Sequence, residues 1–198
     1  RNTLGRGYEI LEEGFSGRTT IWDDPVEGLL SGRSFLRLCL RSHQPLDLVV
    51  LMLGTNDLKS RFGASAEEIA EGMGDLVDIV LSSGTGPEGT HPNALVIAPP
   101  VLDESVLDNA VFAGGLEKSK RLGELYLKVT ETAGCHFLDA APIIRSSPID
   151  GIHLEAEAHH TLGTAIGREI MTIYPNVENE YTGSHAGAWE PGETGVGV

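Results

Sequence analysis

Asp47-Leu-Val-Val-Leu-Met-Leu53 runs straight into Gly54-Thr-Asn-Asp57. Seven residues with one polar member, rich in Val and Leu and stopped by a glycine, have the pattern of a strand buried on both faces. That is the pattern of a central parallel strand. In open α/β sheets, ligands gather outside the carboxyl ends of the strands, so Gly54 to Asp57 is expected at the functional crevice. Asn56 is the first candidate there.

On the carboxyl side, Ser65-Ala-Glu-Glu68 is a capping box, and Ile69, Met73, Leu76, Val77 and Val80 continue at helical spacing to an end near Ser82-Ser-Gly84. A Gly- and Pro-bearing loop leads to the apolar strand Ala94-Leu-Val-Ile-Ala98, stopped by Pro99-Pro100. A helix over 115–133, carrying Leu116, Leu122, Leu125, Tyr126 and Val129, feeds the strand Cys135-His-Phe-Leu-Asp139. After the loop Ser146 to His153, a last helix over about 155–174 buries Ala158, Leu162, Ile166 and Ile170. On the amino side, Tyr8-Glu-Ile-Leu-Glu12 reads as a strand entering the loop Phe15-Ser-Gly-Arg-Thr-Thr20, and Phe35 to Leu40 as a short helix before Gln44-Pro45. Strand and helix alternate, which implies parallel strands joined by right-handed crossovers. Residues 1–174 are expected as one α/β domain and 175–198, where apolar periodicity gives way to Gly, Glu and Asn, as a disordered tail.

Composition narrows the partners. A formal net charge of -15 argues against nucleic acid and anionic membrane surfaces as partners, since either requires a basic patch. No apolar run approaches the roughly 20 residues of a membrane span, and Arg1 to Arg6 lack a signal peptide's apolar segment. Two cysteines, Cys39 and Cys135, imply no disulfide framework, so a reducing, cytoplasmic setting is expected. Self-association is left open.

Three loops each hold a candidate for chemistry: Gly17, Asn56, and Asp150 with His153. Asp150-Gly-Ile-His153 sets a carboxylate three residues ahead of an imidazole, a spacing that lets it orient the ring and stabilise the protonated form, as a general base requires. The Asn56 amide and the uncrowded Gly17 N–H suit an oxyanion that develops during acyl transfer. At these residues the chain closely resembles the SGNH (GDSL-type) hydrolases, a family of esterases and acyltransferases. Its second signature falls on Gly17, its third on Gly54-Thr-Asn-Asp57 and its fifth on Asp150-Gly-Ile-His153. Glu12-Glu-Gly-Phe-Ser-Gly-Arg-Thr-Thr20, Asp23-Asp-Pro25 and Pro148-Ile-Asp-Gly-Ile-His153 look like the arylesterase and acyltransferase branch. The resemblance spans Tyr8 to Tyr174. It implies a flavodoxin-like three-layer α/β/α fold, a small-molecule ester substrate and no cofactor. It also implies His153 as base, Asp150 as its orienting acid, and Gly17 with Asn56 as oxyanion donors.

One signature departs. The family's Gly-Asp-Ser, which carries the nucleophile after the first strand, occurs nowhere in the chain. Losing that strand, which lies between the second and third in the flavodoxin-like order, would leave a gap in the middle of the sheet. The expectation is therefore an incomplete gene product whose intact form has a strand ending in Gly-Asp-Ser before Arg1, with the nucleophile unknown and the chain as written inactive. A non-catalytic ligand-binding protein of the same fold is the alternative. Ser16 sits in no strand-to-helix elbow and reads as a loop residue rather than a nucleophile. Arg18 and Trp22 are read either as pocket lining or as a solvent-facing Arg and a packing Trp. His153, Glu155, His159 and His160 invite a metal reading, with Glu155 and His159 one helical turn apart, but the spacing is not His-Glu-x-x-His and no metal is assigned.

Overall fold

A computed structural model describes residues 3–5, 7–28, 31–175 and 177. Three parallel strands, β1 (Leu48–Leu51), β2 (Asn93–Ala98) and β3 (His136–Asp139), form a sheet in the order β1-β2-β3. Leu48 stands opposite Asn93 and Leu95 opposite His136. The helices are α1 (Gly32–His43), α2 (Ala66–Leu81), α3 (Gly115–Ala133) and α4 (Ala156–Ile173).

Side chains alternate across a strand, so β2 feeds two cores. Ala94, Val96 and Ala98 join Ile69, Met73, Leu76 and Val77 of α2 and Leu122 and Tyr126 of α3 in the larger one. Leu95 and Ile97 face the other way, against Leu162, Ile166 and Ile170 of α4. Helices thus cover both faces of a parallel sheet, the expected three layers, with α1, α2 and α3 on one side and α4 on the other.

Local signals in the sequence explain the helix ends. Ser65 Oγ accepts from the Glu68 amide at 3.1 Å while Glu68 Oε2 accepts from the Ser65 amide at 2.8 Å, so the capping box starts α2. Helix α3 has the expected bounds and ends at Gly134, whose φ of +68 admits the left-handed turn into β3. Ser31 caps α1 by accepting from the Ser34 amide. Helix α4 is fastened at its far end, where Tyr174 Oη donates to the Asp47 carbonyl at 2.7 Å and accepts from Asn93 Nδ2 at 2.8 Å. The Tyr174 carbonyl accepts from Tyr8 Oη at 3.4 Å.

Two expectations need correction. Asp47 to Leu53 is not the central strand: β2 is, and β1 lies at the edge, with Val50 40% exposed. Tyr8 to Glu12 forms no strand. Both have one cause. Between the Tyr8–Phe15 segment and the outer edge of β1 runs a cavity of about 940 Å³, bounded below by Ile166 and Ile170 of α4. The first strand of the flavodoxin-like sheet is not among the described elements. The tail expected from 175 onward falls outside the described residues from 178 on.

Candidate active site

The loop after β1 takes its direction from a close approach. Tyr126 of α3 is fully buried, and its Oη donates to the Leu53 carbonyl at 3.1 Å. At Gly54, with φ of +118, a Cβ would stand 2.4 Å from that hydroxyl, so only glycine fits. The chain then makes a 3-10 turn over Asn56–Leu58, which leaves Asn56 half-buried and drives Asp57 and Leu58 inside.

Asp57 is the anchor of this turn. Its Oδ1 accepts from the Thr20 amide at 2.8 Å and from the Thr20 hydroxyl, while Oδ2 is buried with no partner among the described residues. Burial pushes the carboxyl up to about 6, and the Thr20 bonds oppose that rise. The same pair of bonds ties the Phe15–Thr20 loop to the turn after β1. Asn56 Nδ2 adds a third tie, donating to the Arg18 carbonyl at 3.2 Å. Gly17, with φ of +82, is therefore adjacent in sequence to the group that Asn56 holds. One amide proton of Asn56 is used and the other remains for a ligand. Further along, Asp24 and Glu27 both accept from Arg61, and Lys59 Nζ reaches Glu27 at 3.0 Å.

The loop after β3 builds the second part. Asp150 Oδ1 accepts from the amides of Ile152 at 2.8 Å and His153 at 3.0 Å, and Oδ2 meets His153 Nδ1 at 2.7 Å. These bonds, the Ile152 amide first, hold the Asp150 carboxyl down at about 2. Gly151 has φ of +79, and a Cβ there would stand 2.5 Å from the Val106 amide nitrogen. The glycine inside Asp-x-x-His is thus required by packing against the loop after β2. The His153 side chain is 78% exposed, and its Nε2 has no hydrogen-bond partner among the described residues.

The expected residues are thus brought together as two pairs, Asp150 with His153 and Gly17 with Asn56, on loops that follow β3 and flank the end of β1. Among the described residues no hydrogen bond joins the His153 ring to Asn56 or Gly17. The cavity beside β1 reaches Arg18 and Asn56, but Gly17, Asp150 and His153 do not line it. Arg18 stacks its guanidinium 4.0 Å from the Phe35 ring centre and donates to the Glu13 carbonyl at 3.0 Å, while Trp22 packs against Phe62. Arg18 therefore lines a pocket and Trp22 is a packing residue. Glu155 accepts from the Ser147 hydroxyl rather than joining His159. No described serine hydroxyl bonds the His153 ring: Ser16 is exposed in its turn, Ser146 donates to the Val101 carbonyl, and the Ser105 hydroxyl is buried with no partner among the described residues.

Sequence reasoning missed Thr20 and Tyr126. Thr20 stands out only as part of a family-like stretch and Tyr126 only as a helix core residue, and each acts on a residue at least 37 positions away.

Helices on both faces of a parallel sheet, with an Asp-His pair and an Asn on loops at the strands' carboxyl ends, make an α/β/α fold whose candidate residues lie where ligands gather in open sheets. The chain belongs to the GDSL-like lipase/acylhydrolase family, whose model matches residues 1–161. Among solved structures it is similar to Est24, a carbohydrate acetylesterase from Sinorhizobium meliloti, with 45% identity and a TM-score of 0.81 over 88% of this chain and 83% of that one. The inhibitor-bound aryl esterase of M. smegmatis matches at 38% identity and TM-score 0.80, over 87% and 82% of the two chains. A carbohydrate acetylesterase family member from Sinorhizobium meliloti matches at 34% and 0.82, over 88% and 84%. Comparison with curated proteins gives no match. No helix among the described residues is long and apolar enough to cross a membrane.

Proposed function

We propose that this domain cleaves small carboxylic esters through a seryl acyl-enzyme, with His153 as general base and Asp150 as its orienting partner. The Gly17 N–H and the Asn56 amide receive the oxyanion. The observation that carries this reading is the 2.7 Å contact between Asp150 and His153 Nδ1, which fixes the tautomer and leaves Nε2 for a nucleophile's proton. A carboxyl held at about 2 stays ionised across the working range, so it stabilises the imidazolium throughout turnover. Likeness to a carbohydrate acetylesterase and an aryl esterase favours short acyl groups on sugar or aryl alcohols. Water or an alcohol completes the reaction as acceptor, in the cytoplasm.

The nucleophile in this reading is a serine beyond the present sequence, which lacks Gly-Asp-Ser. An extended segment lying in the cavity along β1, parallel to it, would end beside Asn56, because the cavity reaches that residue at the strand's carboxyl end. The same absence favours a second reading, a binding protein that keeps the pocket without the chemistry.

The test compares p-nitrophenyl acetate hydrolysis by the chain itself and by the chain fused at Arg1 to an apolar strand segment ending in Gly-Asp-Ser. The unfused chain is expected to be inert. The fusion is expected to turn over, to lose activity in His153→Ala, and to slow by about 10²–10³-fold in Asn56→Ala. Turnover by the unfused chain that disappears in His153→Ala would overturn the assignment of the nucleophile. A folded but inert fusion would favour the binding protein.

A further inference from the structure

Outside the residues assigned to ester chemistry, the described side chains converge at one further place. Cys39 and His43 stand four residues apart on α1, one turn on the same face. Glu13, from the segment that leaves the cavity wall, reaches them from the side, its Oε1 2.6 Å from His43 Nε2. The donor atoms of all three lie within 4.8 Å of one another, and all three residues line the cavity beside β1. We propose that Glu13, Cys39 and His43 bind a single zinc ion.

The chemistry of the set favours that ion. A carboxylate oxygen, an imidazole nitrogen and a thiolate sulfur are the donors zinc takes, and one carboxylate with one thiolate neutralises its charge. Bond lengths of about 2.0–2.3 Å in a tetrahedron set neighbouring donors about 3.3–3.6 Å apart. The Glu13–His43 contact must then open by under about 1 Å, and the widest separation close by about as much. Such movements lie within rotamer adjustment of the exposed Glu13 and the half-buried Cys39 and His43. Three protein donors leave a fourth position for water.

The consequence reaches the active site through one loop. Glu13 precedes Phe15 to Thr20, the loop that carries Gly17, and Arg18 Nη1 is bonded to the Glu13 carbonyl. Zinc would fasten that segment to α1, where the described contacts now include the Glu13–His43 pair and the Arg18 stack on Phe35. The role is positional, and the site stands whether or not the domain hydrolyses esters.

The test is titration of the full chain with Co²⁺ as a spectroscopic probe, followed by Zn²⁺. The expected result is one equivalent bound, with a thiolate-to-cobalt charge-transfer band that Zn²⁺ removes. The band is lost in Cys39→Ser, stoichiometric binding is lost in His43→Ala, and both persist in Cys135→Ser. Circular dichroism checks that the variants fold. If Cys39→Ser fails to fold, Zn²⁺ protection of Cys39 from alkylation in the unaltered chain replaces it. No charge-transfer band, a band that survives Cys39→Ser, or alkylation of Cys39 at an undiminished rate under saturating Zn²⁺ would overturn the proposal.

Discussion

The two sides of the sheet's first ladder differ sharply. On one side β2 is packed against β1, β3, α2, α3 and α4, and Leu95, Val96 and Ile97 are 0% exposed. On the other, the outer edge of β1 faces a cavity, and Val50 is 40% exposed. Both strands are largely apolar. What differs is the neighbour each finds, so an apolar run reports that a strand wants burial without reporting that burial is available.

Mutations should separate the two sides. Leu95→Ala or Ile97→Ala removes a side chain that has no room to be replaced, and a loss of about 2–5 kcal/mol in urea unfolding is expected. Val50→Ala should cost about 1 kcal/mol or less. Equal losses at the two positions would mean that the β1 edge is packed in solution.

The next effect concerns Asp57, which joins the packed side to the loop bearing Gly17. Its carboxyl titrates at about 6 in the folded chain against an ordinary 3.8. The folded-state pKa is raised, so the associated stability is fully present below about pH 4 and is lost as pH rises through 6. The total is about 3 kcal/mol. Asp57→Asn should flatten this part of the stability-pH profile, which denaturation at a series of pH values reads directly.

The smallest effect belongs to Asp150 on the exposed loop. Its pKa is depressed to about 2, so its contribution is present above about pH 4 and disappears as pH falls through 2. At 41% exposure of its side chain, solvent screening limits this to about 1 kcal/mol or less. Carboxyl NMR titration should find the low value. In His153→Ala it should rise but stay below the ordinary range, because the Ile152 amide still donates.

What could be read in advance was what lies within a few residues. The capping box, the bounds of α3 and the Asp150–His153 pair each depend on neighbours three or four positions away or on helical period, and each is present. Residues 8–12 were misread because alternation marks a strand only where it joins a ladder, and among the described residues no strand is formed there. The same missing strand moved the centre of the sheet from β1 to β2. The Asn56–Arg18 bond, the Thr20–Asp57 bond and the Tyr126 contact at Gly54 join positions from 37 to 73 apart. No spacing in the sequence encodes such meetings; packing of α3 and the first loop against the sheet creates them.

Tyr174 shows how much can hang on a single side chain at the end of a helix. Its phenol buckles the last turn of α4 to the openings of both β1 and β2, and its carbonyl takes the hydroxyl of Tyr8. Among the described residues α4 is the sole helix roofing that face, so this clasp decides where the domain can be trimmed. A boundary placed after Tyr174 keeps the roof latched at both gables, whereas one placed just before it leaves the sheet's underside free to breathe.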